Sequence, residues 1–163
     1  MTTTESTTHQ PGLLVSGLAL AIFFALSFAA ASMSYFFGPD AWYEALNRPA
    51  FAPPNWLFGP VWTVLYIGMS VAAWLVWRRV GWRSSLIGVW LIQVALNMLW
   101  TPLFFGLHWM GVALAEMGLM WAAIALCVMR FRPISATASW LMVPYLAWVT
   151  FAFVLNMAYW WLN

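Results

Sequence analysis

Between Leu13 and Trp161 the chain is a succession of apolar stretches, each long enough to cross a bilayer and each broken from the next by a few polar residues. A helix needs roughly 20 apolar residues to span a ~30 Å hydrocarbon core. The stretches fall at about 13–35, 56–77, 84–105, 111–129 and 135–161. With 65% hydrophobic and 6% charged residues, the composition lies well outside that of a water-soluble domain. These features predict an all-α integral membrane protein, a bundle of five transmembrane helices in one domain over 12–163. No internal repeat or flexible linker divides it.

Several function classes fall away on composition. The six arginines and four acids give a net charge of +2 without a basic stripe, so nucleic acid is not an expected partner. The absence of lysine excludes a Schiff-base or other lysine-borne covalent mechanism. One cysteine, Cys127, cannot form an intrachain disulfide and reads as a small buried hydrophobe. No metal-ligand spacing and no cofactor motif stands out. His108 lies in a turn without a second His or a Cys nearby, so an interfacial role beside Trp109 is favoured over metal or haem ligation.

The segment Trp42–Trp62, WYEALNRPAFAPPNWLFGPVW, cannot itself lie in lipid as a helix. It combines charges and amides with four prolines, and Pro53 and Pro54 each lack the N–H a helix needs. Its aromatic rings would be costly to leave in water. A structured loop between helices one and two is therefore expected, with Trp42, Phe51, Pro53, Pro54 and Trp56 forming a lid on the helix ends.

The remaining segments can be placed in order. Residues 1–11, rich in Thr and carrying Glu5 and His9, read as a disordered tail. Ala29, Ala30 and Ala31 resemble a signal-peptide processing site. No Lys or Arg precedes the stretch and its length exceeds the usual one, so a retained first helix is expected. Gly17, Ala21, Ala25 and Ala29, four apart, offer a face of small residues for intramolecular packing. Gln93 and Asn97 share a helical face and should point into the bundle, either as hydrogen-bonded contacts between helices or as ligand-holding amides. Thr101-Pro102 should break or bend the third span, and Pro144 should kink the fifth. Glu116 is the one acid well inside an apolar span. It is an interfacial hydrated carboxylate, a hydrogen-bonded one, or a ligand or proton site.

Of the tryptophans, Trp77, Trp82, Trp109, Trp160 and Trp161 fit an interfacial belt. Trp62, Trp90, Trp100, Trp121 and Trp148 lie deeper. Arg78, Arg79 and Arg83 in one turn and Arg130 and Arg132 in another predict that these turns and the amino terminus are cytoplasmic. The loop between helices one and two and the carboxyl terminus would then lie on the opposite face.

The segments WYEALNRPAFAPPNW, GPVWTVLY, LNMLWTPLFFG and PYLAWVTFAFVLN, in this order, closely resemble the tryptophan-rich sensory protein family, TspO, related to the mitochondrial translocator protein. The resemblance covers nearly the whole chain after the tail. It implies a five-helix bundle, commonly a homodimer, with a ligand site between the helices beneath the first loop. Its known ligands are porphyrins, including protoporphyrin IX, and synthetic isoquinoline carboxamides, with sterols for animal members. Carried over position by position, Asn97 would be the amide that bonds ligand, and Trp62 and Trp148 the tryptophans that touch its ring. Tyr66, Trp100, Tyr145 and Ala152 would be further lining. In some bacterial members the two tryptophans are linked to light-dependent porphyrin breakdown, which would make Trp62 and Trp148 catalytic.

There are departures from the family pattern. Many members have Trp where this chain has Phe51, and some have another at Ala50, so lid indoles are missing. The animal sterol motif requires a basic residue soon after a carboxyl-terminal Tyr, whereas Tyr159 is followed by Trp160, Trp161, Leu162 and Asn163. The expected function is a membrane protein that binds a tetrapyrrole or another apolar small molecule and senses, regulates or moves porphyrins. Porphyrin degradation is the alternative. A coupled transporter is the weaker one, since five spans show no inverted repeat.

Overall fold

The computed structural model describes residues 11–163, so the tail expected over 1–11 lies, apart from Pro11, outside the described residues. Every regular element among the described residues is helical. α1 spans Leu13–Phe36, the short α2 Ala41–Ala45, α3 Phe58–Val80, α4 Ser85–Thr101, α5 Met110–Phe131 and α6 Ala136–Leu162. A 3₁₀ turn, Asn55–Leu57, leads into α3, and a wider π turn, Pro102–Gly106, follows α4. Five of these segments are long and apolar enough to cross a membrane: Leu13–Phe36, Asn55–Val80, Ser85–Gly106, Met110–Phe131 and Ala136–Leu162.

Local chemistry explains the boundaries. Pro60 sits in the first turn of α3, where its missing N–H costs nothing. Gly81 ends that helix with φ 72°, and its N–H closes on the Trp77 carbonyl. Ser84 and Ser135 cap α4 and α6 by accepting from Leu86 and Ala138 N–H. Pro102 cannot donate into the α4 ladder, so the chain widens there. Leu107 N–H then reaches back to the Pro102 carbonyl, and Trp109 N–H to that of Leu103. Pro144 lies inside α6, which runs on through it.

The five long helices pack as a ring, in which α1 meets α3 and α4, α3 meets α6, α6 meets α5, and α5 meets α4. At one end Arg79 donates to the Ile134 carbonyl, which brings the two arginine-bearing turns together. Arg78 lies 4.8 Å over the Trp74 ring. Around this end α1 and α3 are held by Ser70 Oγ donating to Ser27 Oγ (2.7 Å) and Trp74 Nε1 donating to the Ser16 carbonyl (3.0 Å).

Two packing expectations are corrected. Gly17, Ala21 and Ala25 face outward; α1 packs instead through Ser16, Ala19, Phe23, Ser27 and Ala30. Trp77, placed in the interfacial belt from its sequence position, is 1% exposed because α3 continues to Val80 and keeps it within the packed helix end. Trp82, Trp109, Trp160 and Trp161 are exposed. Trp90 is fully buried and donates to the Met69 carbonyl at 3.0 Å, whereas Trp121 is exposed and donates to Thr150.

Candidate ligand-binding cavity

Inside the ring, toward the end away from the arginines, lies a cavity of about 460 Å³. All five long helices contribute to it, which is the setting expected of an apolar ligand site. Its polar anchor is a three-residue chain. Tyr66 on α3 donates to Asn97 Oδ1 at 2.9 Å, Asn97 Nδ2 donates to the Tyr145 hydroxyl at 3.0 Å, and that hydroxyl contacts Met120 Sδ at 3.7 Å. The amide thus keeps one N–H and one acceptor site uncommitted. Asn97 is buried and lines the cavity; Gln93, one turn earlier, is also buried but donates to Met69 Sδ and does not line it.

Aromatic rings supply most of the remaining wall. Trp62 stacks on Tyr66 with centroids 5.4 Å apart and meets Tyr145 edge-on at 6.0 Å. Trp148 packs against Phe58 and Phe151, and its indole N–H has no partner among the described residues. Trp100 stacks on Phe104 and donates to Asn156 Oδ1, while Asn156 Nδ2 donates to the Met110 carbonyl. Six of the seven residues named from sequence, Trp62, Tyr66, Asn97, Trp100, Trp148 and Ala152, line the cavity directly. Tyr145 sits behind them, fully buried, holding Asn97.

Sequence reasoning missed Tyr43, Phe104, Phe105 and Tyr159, which also line the space, and did not include Asn156. The last two had a readable signal: Tyr145, Trp148, Ala152, Asn156 and Tyr159 recur at three and four residues along α6. Tyr43 had none, because a loop residue reaches the site only through tertiary docking.

The loop between α1 and α3 closes the end of the cavity. Phe37 lies against Gly106, where an added Cβ would stand 2.7 Å from its ring. Trp42 stacks on His108 at 3.9 Å, and His108 Nε2 is 3.5 Å from Asp40. His108 holds a left-handed φ of 58° in the turn it helps to make. Asp40 also caps α2; the Tyr43 N–H first, and His108 after it, hold its carboxyl below the ordinary 3.8. The Tyr43 and Tyr159 hydroxyls share a 3.1 Å hydrogen bond. Burial, and then that bond, push the Tyr43 phenol above its ordinary range. Asn47 N–H donates to Asn163 Oδ1 at 2.8 Å, and Asn163 Nδ2 donates back to the Asn47 carbonyl.

The other lid residues take varied positions. Phe51 meets Phe151 edge-on, the Pro53 carbonyl accepts from Arg48, and Pro54 precedes the 3₁₀ turn. Trp56 is 71% exposed and does not line the cavity, since that turn points it outward.

The sequence profile of the TspO/MBR family matches residues 16–162. The chain belongs to the TspO/MBR family. This TspO-family chain is 38% identical over 147 residues to Protein CrtK of Rhodobacter capsulatus, covering 88% of this chain and 91% of the relative. It is 43% identical over 118 residues to the tryptophan-rich sensory protein of Cereibacter sphaeroides, covering 72% and 74%. It is 38% identical over 123 residues to the human translocator protein, covering 73% of each. The TspO-family chain is therefore an integral, multi-pass membrane protein in a lipid environment.

Proposed function

We propose that this TspO-family protein binds a tetrapyrrole of the protoporphyrin IX type in the cavity under the first loop and acts in porphyrin sensing, regulation or transport. The observation that carries this reading is the combination in one cavity of flat aromatic walls, Trp62 and Trp148, with a single buried amide, Asn97, fixed by Tyr66 and Tyr145. A planar macrocycle suits stacking against indole faces, and its few polar groups suit a site with few anchors. A dark titration of purified protein with protoporphyrin IX, followed by tryptophan quenching, tests it. Saturable quenching should weaken in Asn97→Ala and in Trp148→Ala; unchanged affinity in both would remove the site.

A second reading is porphyrin degradation driven by light, with dioxygen as the oxidant and the bound porphyrin as photosensitiser. The stacking of Trp62 on Tyr66 beside Asn97 favours it, since an indole and a phenol in contact can share an oxidising equivalent. It predicts saturable, light-dependent turnover to a defined product that is lost in Trp62→Phe. Equal bleaching by that variant would sink it.

The proposed sidedness puts the arginine end in the cytoplasm and the loop and carboxyl terminus opposite. A homodimer is also proposed, with Ser84, the cap of α4, and Gly88 in its first turn as a small-residue face. Gly88 is exposed, with open space where a Cβ would stand. Crosslinking in native membranes at these positions should trap a dimer; monomer alone would reject the face.

A further inference from the structure

The cavity wall is closed on three sides and open on one. None of its lining residues on α4, the π turn, α5 or α6 is exposed. The exposed ones are Phe28 and Ser34 on α1, Pro39 just after it, Asn55 before α3, and Gly59 and Thr63 on α3. The mouth therefore lies between the carboxyl-terminal third of α1 and the first turns of α3. Toward the arginine end these helices are joined by the Ser27–Ser70 and Ser16–Trp74 bonds, and Phe28 meets Tyr66 at 5.8 Å at the mouth's inner edge. Beyond Phe28 the gap is bordered by small or short side chains, Ala31, Ser34, Gly59 and Thr63. The loop, by contrast, is tied down by Phe37 on Gly106, Trp42 on His108, Tyr43 on Tyr159 and Asn47 on Asn163.

The mouth's position fixes what can reach it. Apart from Pro39, its residues belong to the spans Leu13–Phe36 and Asn55–Val80, within about three turns of their loop-side ends, so it opens near the boundary of acyl chains and headgroups. Phe28 offers an apolar border, and Ser34, Asn55 and Thr63 offer hydroxyl and amide groups. Such a border suits a planar amphiphile already dissolved in the bilayer. We infer that the gap between α1 and α3 is a lateral portal, through which a membrane-dissolved planar amphiphile enters the cavity from the lipid while the loop stays docked. This rests on the reading that the cavity takes a membrane-soluble ligand, and it adds the route and the phase from which that ligand comes.

A Cβ on Gly59 would meet nothing within 4 Å, so a side chain there starts in open space and a large one can reach into the gap. In vesicles, Gly59→Phe should slow both association and dissociation of protoporphyrin IX by about tenfold, as when binding waits on a rearrangement, with Kd near that of the parent. Ser34→Phe should do the same from the opposite side, which guards against misfolding of either variant. Asn163→Ala, which removes the loop's tie to the end of α6 through that side chain, should leave the rates alone. A second readout needs no porphyrin. Ala152→Cys places a thiol on the cavity wall, and the native Cys127 is fully buried. Its reaction with pyrenyl maleimide dissolved in the vesicle lipid should slow with Gly59→Phe and not change with Asn163→Ala. Labelling gated at Gly59 without saturable porphyrin binding would reject the tetrapyrrole reading and keep the portal. Rates and labelling indifferent to Gly59→Phe and Ser34→Phe, or quickened by Asn163→Ala, would overturn the portal.

Discussion

At the residue scale, Glu116 sets its chemistry against its surroundings most sharply. It is 7% exposed on α5, outside the cavity lining, and neither carboxyl oxygen has a hydrogen-bond partner among the described residues. Its burial sets it apart from the exposed interfacial carboxylate that was one of the three positions its sequence context offered. A buried polar group without partners opposes folding. Glu116→Leu should therefore raise the thermal midpoint in detergent, by the equivalent of about 1–3 kcal/mol. A lowered midpoint would mean that the carboxyl is held by a partner that matters to the fold. Asp40 is the converse case, an exposed carboxylate used by its neighbours. Its lowered folded pKa means that its support for the loop is complete above the unfolded value of 3.8 and is lost as pH falls through the folded one. Amide protection at Tyr43, corrected for intrinsic exchange, should hold from pH 7 to about pH 4 and fall below that. Protection unchanged well below pH 4 would mean that the Asp40 cap does not hold the loop.

At the element scale, the ends of the helices show which features sequence chemistry dictates. Gly81 is the clearest: only a residue without Cβ adopts φ 72° cheaply while its N–H closes α3. Gly81→Ala should cost about 1–2 kcal/mol, seen as a lower midpoint in urea or heat, and no change would contradict the left-handed cap. The five spans were legible to within a few residues because length and hydropathy alone decide them. Which face of each span points inward was not legible. In lipid both faces of a helix are apolar, so periodicity groups Gly17, Ala21 and Ala25 without saying that Ser16, Ala19 and Phe23 are the packed set. The α4 side of the cavity was readable because Asn97 is polar among apolar residues. Phe104 was hidden, because it reaches the cavity through the widened turn after Pro102, and a helical projection of α4 does not anticipate that shift.

At the scale of the whole molecule, the ring of helices and the loop divide the work of enclosing the cavity. The loop belongs to a satellite core of Leu103, Phe104, Ala113, Leu155 and Tyr159, on which Trp42, Tyr43, Leu46 and Phe58 pack. The main core lies farther along the bundle, around Phe23, Met69, Trp90 and Met142. Two cores with little shared material should open separately. Asn163 makes hydrogen bonds with Asn47 and with the Tyr159 carbonyl, so it fastens the loop to the end of α6. Each bond is worth about 0.5–1.5 kcal/mol at most, and the two to Asn47 are exposed. Asn163→Ala should therefore raise amide exchange across residues 41–52 while the exchange of α3 and α4 and the global midpoint stay as they were. A parallel loss of protection throughout the bundle would mean that the loop is part of one cooperative unit. In that case the lid could not move without loosening the helices that hold Asn97 and Trp148, and its docking would set the affinity of the cavity as well as its cover.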